Sequence, residues 1–146
     1  MAQTVNSITI NAPYDAVFDI SNDIERWTEL FGGEYTEAKV LKREGNKITF
    51  QLTNNEGATW QSFRILNKEY RYAYAQKMEP TFPFKYMKLV WLYTETPEGV
   101  LMTWIQFFTM ADGAKVDDAK AEGLINKHSV DNMKIFKEAI EKAARG

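Results

Sequence analysis

The chain contains no cysteine, and that excludes disulfides, thiolate metal sites and a cysteine nucleophile together. It has a single histidine, His128, so a site with several histidine ligands is impossible. No apolar run approaches the roughly 20 residues that a helix needs to span a bilayer. The opening MAQTVNSITI lacks a basic stretch followed by an apolar one, so it does not read as a leader, and a cytoplasmic protein is expected. Excess positive charge is absent too. A formal charge of -2 and a pI near 5.5 give no electrostatic footing for nucleic acid or an anionic membrane surface. Aromatic residues are present in excess, at 14% of 146 residues. Tryptophan and tyrosine bury large surfaces yet carry a polar tip, which suits either a bulky β core or a cavity for a semi-polar ligand. Composition alone favours the bulky core.

A chain of this length forms one ordinary domain, taken as residues 1–146. Residues 3–11 alternate as a strand. Ala12-Pro13 then opens a short helix with Val17, Phe18 and Ile20 on its apolar side. Ser21 or Asn22 can cap a second short helix running towards Leu30, which Gly32-Gly33 ends. Strand-like runs follow over 34–43, 46–54, 57–66 and 69–78, separated by turn residues such as Asn54-Asn55-Glu56-Gly57. Two further strands, 85–95 and 100–110, are joined through Thr96-Pro97-Glu98-Gly99. From Val116 to Ala144 the spacing is helical, with Gly123 a candidate interruption. Hairpin-length connections imply an antiparallel sheet. A seven-stranded sheet must curl to cover its apolar face, and the long last helix is available to lie across it, so the fold class is α+β.

Alternation settles some side-chain directions and leaves others open. Met87, Leu89, Trp91 and Tyr93 share one face and should point inward, with Lys88 on the other. On 100–110, Met102, Trp104, Gln106 and Phe108 oppose Leu101, Thr103, Ile105 and Phe107, and both faces are apolar. On 57–66, Trp60, Ser62 and Arg64 lie together. Read alone, that face serves more readily as solvated surface; turned inward, Ser62 and Arg64 would be polar groups in an apolar interior, where such groups need partners. On the last helix Ile125, Ser129, Asn132, Met133, Phe136 and Ile140 form one stripe. Its polar members are equally consistent with satisfied core groups and with a cavity role. His128 lies one step off the stripe, at the surface or a rim.

Several segments in register resemble the single-domain polyketide aromatase/cyclases, of the wider Bet v 1-like and START-related superfamily. They are Asn11-Ala-Pro13, the run from Val17 to Trp27, Glu29-Leu-Phe31 followed by Glu34-Tyr35, and Trp60-Gln-Ser62-Phe-Arg64. Phe84-Lys-Tyr-Met87 with Trp91, Trp104-Ile-Gln106 and Asn132-Met133 continue the match to the end of the chain. The resemblance implies a helix-grip fold: a curved seven-stranded antiparallel sheet around the long C-terminal helix, with two short helices after the first strand and a deep pocket between. It implies that the Trp60, Ser62 and Arg64 face is inward. It also implies an enzyme, a cofactor-independent cyclase/aromatase that directs aldol closure, dehydration and aromatisation of a poly-β-ketone. By the same resemblance Arg64 and Tyr35 are the catalytic candidates. Trp27, Phe31, Trp60, Ser62, Met87, Trp91, Trp104, Gln106 and Asn132 are the substrate-binding ones. Arg64 would stabilise developing oxyanion charge. Tyr35, made more acidic by the nearby arginine, would protonate the departing hydroxyl.

No metal or organic cofactor is called for by that chemistry. The implied partners are an acyl-carrier-protein-bound substrate and the minimal polyketide synthase, with Arg26, Lys85 and Lys88 as candidate basic contacts for an acidic carrier. Two departures from the family pattern are expected to reshape the pocket: an extra glycine in Gly32-Gly33-Glu34, and Ala58 where the family has a tryptophan. The competing reading is a non-enzymatic carrier of a lipid, quinone or other hydrophobic ligand in the same superfamily, since a fold does not fix a function.

Overall fold

The computed structural model describes residues 1–146. The order is β1 (Ala2–Ile10), α1 (Tyr14–Ser21), a 3-10 turn (Ile24–Arg26), α2 (Trp27–Leu30), β2 (Tyr35–Glu44), β3 (Lys47–Asn54), β4 (Thr59–Asn67), β5 (Tyr72–Lys77), β6 (Phe84–Thr96), β7 (Gly99–Met110) and α3 (Asp118–Ala144). All strand pairings are antiparallel, in the order β1-β7-β6-β5-β4-β3-β2. This is the helix-grip arrangement expected from the sequence. The chain leaves one edge strand, passes through α1 and α2, and enters at the opposite edge, so the two short helices close one end of the curved sheet.

Local chemistry accounts for the boundaries. Pro13 sits at the N-cap of α1, where a missing N–H is harmless. The β3–β4 turn is held by the Asn54 side chain, whose Oδ1 accepts from the N–H groups of Glu56 (3.0 Å) and Ala58 (2.9 Å). Gly99 has φ 137°, and a Cβ there would lie 2.1 Å from the Ile10 carbonyl oxygen, so the tight β6–β7 hairpin requires glycine. Asp117 caps α3 by accepting from Lys120 N–H at 2.9 Å. The helix then runs unbroken for 27 residues, about 40 Å. Gly123 does not interrupt it, because a single exposed glycine weakens a helix by only about 1 kcal/mol, which tertiary packing overrides.

The core lies between the concave face of the sheet and the three helices. Ile10, Val17, Phe18, Ile24, Leu30, Val100, Met102, Phe136 and Ile140 are buried in one cluster. α3 presents Ala121, Ser129, Asn132, Met133, Phe136 and Ile140 inward, and Ile125 is half-buried. The strand faces that alternation left open are decided by closure: Met102, Trp104 and Phe108 point inward on β7, and Ser62 and Arg64 on β4.

An aromatic cavity around a buried arginine

The helices fill one end of the sheet but not the other. The remaining space is a cavity of about 610 Å³, within the usual range for small-molecule sites. All eleven residues singled out from the sequence line it: Trp27 and Phe31 from α2 and its end, Tyr35 from β2, Trp60, Ser62 and Arg64 from β4, Met87 and Trp91 from β6, Trp104 and Gln106 from β7, and Asn132 from α3. The register explains the grouping. Ser62 pairs with Phe50 and Lys77, Arg64 with Ile48 and Ala75, and Trp91 with Trp104 and Ala73, so inward side chains form adjacent rows on one face.

The aromatic wall is contiguous. Trp91 and Trp104 stack at 4.9 Å and 11°. Phe136 meets each of them edge-on at 5.5 Å, and Phe31 packs on Phe136 at 4.7 Å. Trp27 lies 5.9 Å from Trp91 and 6.3 Å from Tyr35.

Arg64 is 1% exposed within this wall. Its guanidinium carbon sits 4.2 Å from the ring centre of Trp91 and 5.2 Å from that of Trp27, both favourable to a cation over an aromatic face. Nη2 donates to Asn22 Oδ1 at 3.1 Å, while Nε has no partner. The charged neighbours of most buried arginines are missing: the ionisable groups acting on it are the phenols of Tyr93 and Tyr35, with no carboxylate among them. Burial pushes its pKa down to about 10, which leaves it a cation at neutral pH.

A chain of hydrogen bonds aims Asn22 at Arg64. Ser21 Oγ donates to the Phe18 carbonyl at 3.1 Å, so the Tyr93 hydroxyl, 2.8 Å away, donates to Ser21 Oγ. Asn22 Nδ2 then donates to Tyr93 Oη (2.9 Å) and to the Phe18 carbonyl (2.9 Å), which fixes Oδ1 towards the guanidinium. Burial lifts the Tyr93 phenol to about 12, so it remains a neutral donor. Sequence reasoning offered Ser21 or Asn22 as a cap for the second short helix; the structure instead buries both as supports of Arg64. Nothing in the local sequence distinguishes the two roles, because the partner is 42 residues away.

Tyr35 behaves differently from the sequence expectation. Its phenol lies well above the ordinary value, first because of burial and then because of the Glu34 carboxylate; Arg64 opposes both and does not prevail. It is a weaker acid than a free phenol. Gln106 is pinned by two hydroxyls, Thr4 (2.8 Å) and Ser129 (2.9 Å), which both donate to its Oε1. Trp104 Nε1 is buried without a partner.

The mouth holds Glu34 and Lys77, to which sequence reasoning gave no role, and His128, which lies at the rim as expected. Glu34 Oε1 contacts His128 Nε2 closely and accepts from Asn132 Nδ2 at 3.2 Å, joining the segment after α2 to α3. Lys77 Nζ lies over the rings of Trp60 (4.9 Å) and Phe84 (5.3 Å), and burial lowers its pKa. Continuing the inward alternation from Ala73 and Ala75 would have found it. Of the basic residues suggested earlier, Lys85 and Lys88 are exposed and absent from the lining, and Arg26 pairs with Glu29 at 2.8 Å. Ala58 is exposed at the end of the β3–β4 turn and does not line the cavity, whereas Gly32 does.

A curved sheet gripping a long helix around an aromatic cavity is the helix-grip fold. The sequence profile of the family described as polyketide cyclase / dehydrase and lipid transport matches residues 1–141, and the chain belongs to that family. A Streptomyces cyaneus protein provisionally named as a polyketide cyclase is 44% identical over 146 positions, covering 97% of this chain and 95% of that one. The granaticin polyketide synthase bifunctional cyclase/dehydratase of Streptomyces violaceoruber is 27% identical over 128 positions, 85% of this chain and 39% of the relative. Among solved structures, the Zhui aromatase/cyclase of a Streptomyces species superposes with a TM-score of 0.81 at 16% identity, over 98% of this chain and 93% of that one. No helix is long and apolar enough to cross a membrane.

Proposed function

We propose that this polyketide-cyclase family protein binds a poly-β-ketone chain in the aromatic cavity and directs its aldol closure, dehydration and aromatisation to the first ring or rings. The observation that carries the reading is the Arg64 guanidinium on the lining of an aromatic-walled cavity, held by Asn22 and the Trp27 and Trp91 rings with no carboxylate acting on it. A buried cation without a counter-ion favours a ligand that brings electron-rich oxygens to it. A chain bearing carbonyl oxygens at intervals does so, and a plain acyl chain does not.

In this reading the stacked rings hold the chain bent, which brings two chosen carbons together and suppresses the other closures open to a flexible polyketone. Arg64 is the fixed positive charge towards which the enolate or alkoxide oxygen develops, in an apolar site where such stabilisation is strongest. The hydrogen bonds through Asn22, Tyr93 and Ser21 hold the guanidinium before substrate arrives. Tyr35 remains protonated at working pH and donates its proton only as the hydroxyl departs. Ser62, Gln106 and Asn132 orient carbonyls or water. The substrate arrives as a carrier-protein thioester made by the minimal synthase, and the chemistry runs without a metal or organic cofactor.

Co-expression with a minimal polyketide synthase tests the reading. Chromatography with mass detection should show one dominant aromatised product where the synthase alone gives a mixture of spontaneous cyclisation products. An unchanged mixture, with the protein expressed and folded, would replace the reading with that of a hydrophobic-ligand carrier.

A further inference from the structure

The cavity mouth carries a built acid–base arrangement that the proposed chemistry has not used. Glu34 and His128 come from opposite sides of the opening, and both line the cavity. The Glu34 side chain is 19% exposed and that of His128 62%, so the pair spans the boundary between cavity and solvent. Asn132 Nδ2 anchors the carboxylate from α3. Glu34 also precedes Tyr35 in the chain and is the carboxylate that acts on its phenol. The order from bulk water inward is therefore imidazole, carboxylate, phenol.

We propose that His128 and Glu34 form a relay that returns a proton from solvent to Tyr35 after each dehydration. The inference rests on the aldol–dehydration reading. In that step the C–O bond of the β-hydroxyketone breaks with its electron pair on oxygen, and the Tyr35 proton joins it to leave as water. The electron pair of the neighbouring C–H bond becomes the new C=C bond, and that proton passes to water. Tyr35 is left as a phenolate. Tyr35 lies on the cavity lining beside Trp27 and Phe31, and burial is the largest influence on its phenol. The imidazolium gives its Nε2 proton to Glu34, Glu34 gives one to the phenolate, and solvent recharges the exposed imidazole. One proton is released and one taken up, so the cycle balances.

Overall transfer from the imidazolium to the phenolate is downhill. The Tyr35 phenol is held above its ordinary value, so its phenolate is a strong base, and the Glu34 carboxylate raises His128 so that it stays charged further into the neutral range. Burial raises Glu34, but the hydrogen bonds of His128 and Asn132 outweigh it and hold the carboxyl below its usual range, so the protonated carboxyl is a transient bridge, reached uphill from the imidazolium and discharged at once to the phenolate. The other charged groups nearby are Asp131, itself paired with Lys127 at 3.1 Å, and Glu56 and Lys77 on the cavity lining.

Glu34→Gln and His128→Gln, each assayed with a reconstituted minimal synthase, test the relay, since both keep hydrogen-bonding capacity and remove the titrating group. Each should slow aromatised-product formation by about 10- to 100-fold, at the low end of acid–base contributions. Quenching titrations with a phenolic ligand should show unchanged affinity. The ratio of wild-type to His128→Gln rates should fall towards unity as pH rises through the raised histidine pKa, because the wild-type donor is lost there. In a Tyr35→Phe background neither substitution should add a further loss. Equal losses in both backgrounds, a ratio independent of pH, or no loss at all would overturn the relay. If Arg64→Met is still inactive in the same assay, the underlying cyclase reading stands without it. If Arg64→Met is also unimpaired, both fall together.

Discussion

Arg64→Met separates the chemical role of the guanidinium from any structural one. The methionine keeps an unbranched apolar stem and removes the charge. Burial depresses the pKa to about 10, which corresponds to roughly 3 kcal/mol of desolvation penalty on holding the cation inside the fold. Against that stand one charge-assisted hydrogen bond to Asn22, worth about 1.5–3 kcal/mol, and contacts over two rings, worth about 0.5–2 kcal/mol. These nearly cancel, so Arg64→Met should melt within roughly 5 °C of the wild type. Directed cyclisation should nevertheless fall by about 100- to 1000-fold, the loss expected on removing an oxyanion donor. Arg64→Lys should rescue poorly, since an ammonium lacks the planar fork. The sign of the alkaline response follows as well. Above about 10 the folded state holds fewer protons on Arg64 than the unfolded state, so the penalty is complete below about 10 and is relieved as pH rises. Tyr93 acts oppositely: its stabilising contribution is intact below 10 and is lost as pH climbs towards about 12. Without Arg64 only the second effect remains, and the variant should unfold at lower alkaline pH than the wild type. Melting curves and product chromatography on one preparation decide the matter. A variant that folds and gives the wild-type product ratio refutes the catalytic role, and one that unfolds refutes the energy balance.

Two further outcomes can be checked on the protein alone. Titration with a flat multi-ring phenol should quench tryptophan emission saturably, because all four tryptophans, Trp27, Trp60, Trp91 and Trp104, line the cavity; quenching no greater than the inner-filter background would contradict an accessible aromatic site. Gly99→Ala should destabilise the protein by about 2–4 kcal/mol in denaturant unfolding, since the new Cβ would clash with backbone rather than with a side chain that can swing away; an unchanged midpoint would show that the hairpin can relax.

The order of elements was legible in the sequence because each is specified locally. Alternation marks the strands, Asn54 and Gly99 mark turns, Pro13 marks a helix start, and the three- and four-residue spacing of Met133, Phe136 and Ile140 marks the inward side of α3. The resemblance of the Trp60-Gln-Ser62-Phe-Arg64 segment also brought the cavity-lining set to notice. Tertiary structure alone decided the rest. Strands apolar on both faces carry no period that selects one, so the inward direction of Trp104 on β7 was set by how the sheet curls around α3. The same closure brought Asn22 to Arg64, Glu34 to His128 and Lys77 into the mouth, pairings across 42 and 94 residues and across separate strands. Proton affinities followed the same rule. From sequence, proximity to an arginine suggested an acidic Tyr35; in the fold, desolvation and the adjoining Glu34 outweigh that cation, because burial and exact neighbours are properties of the closed chain and not of its order.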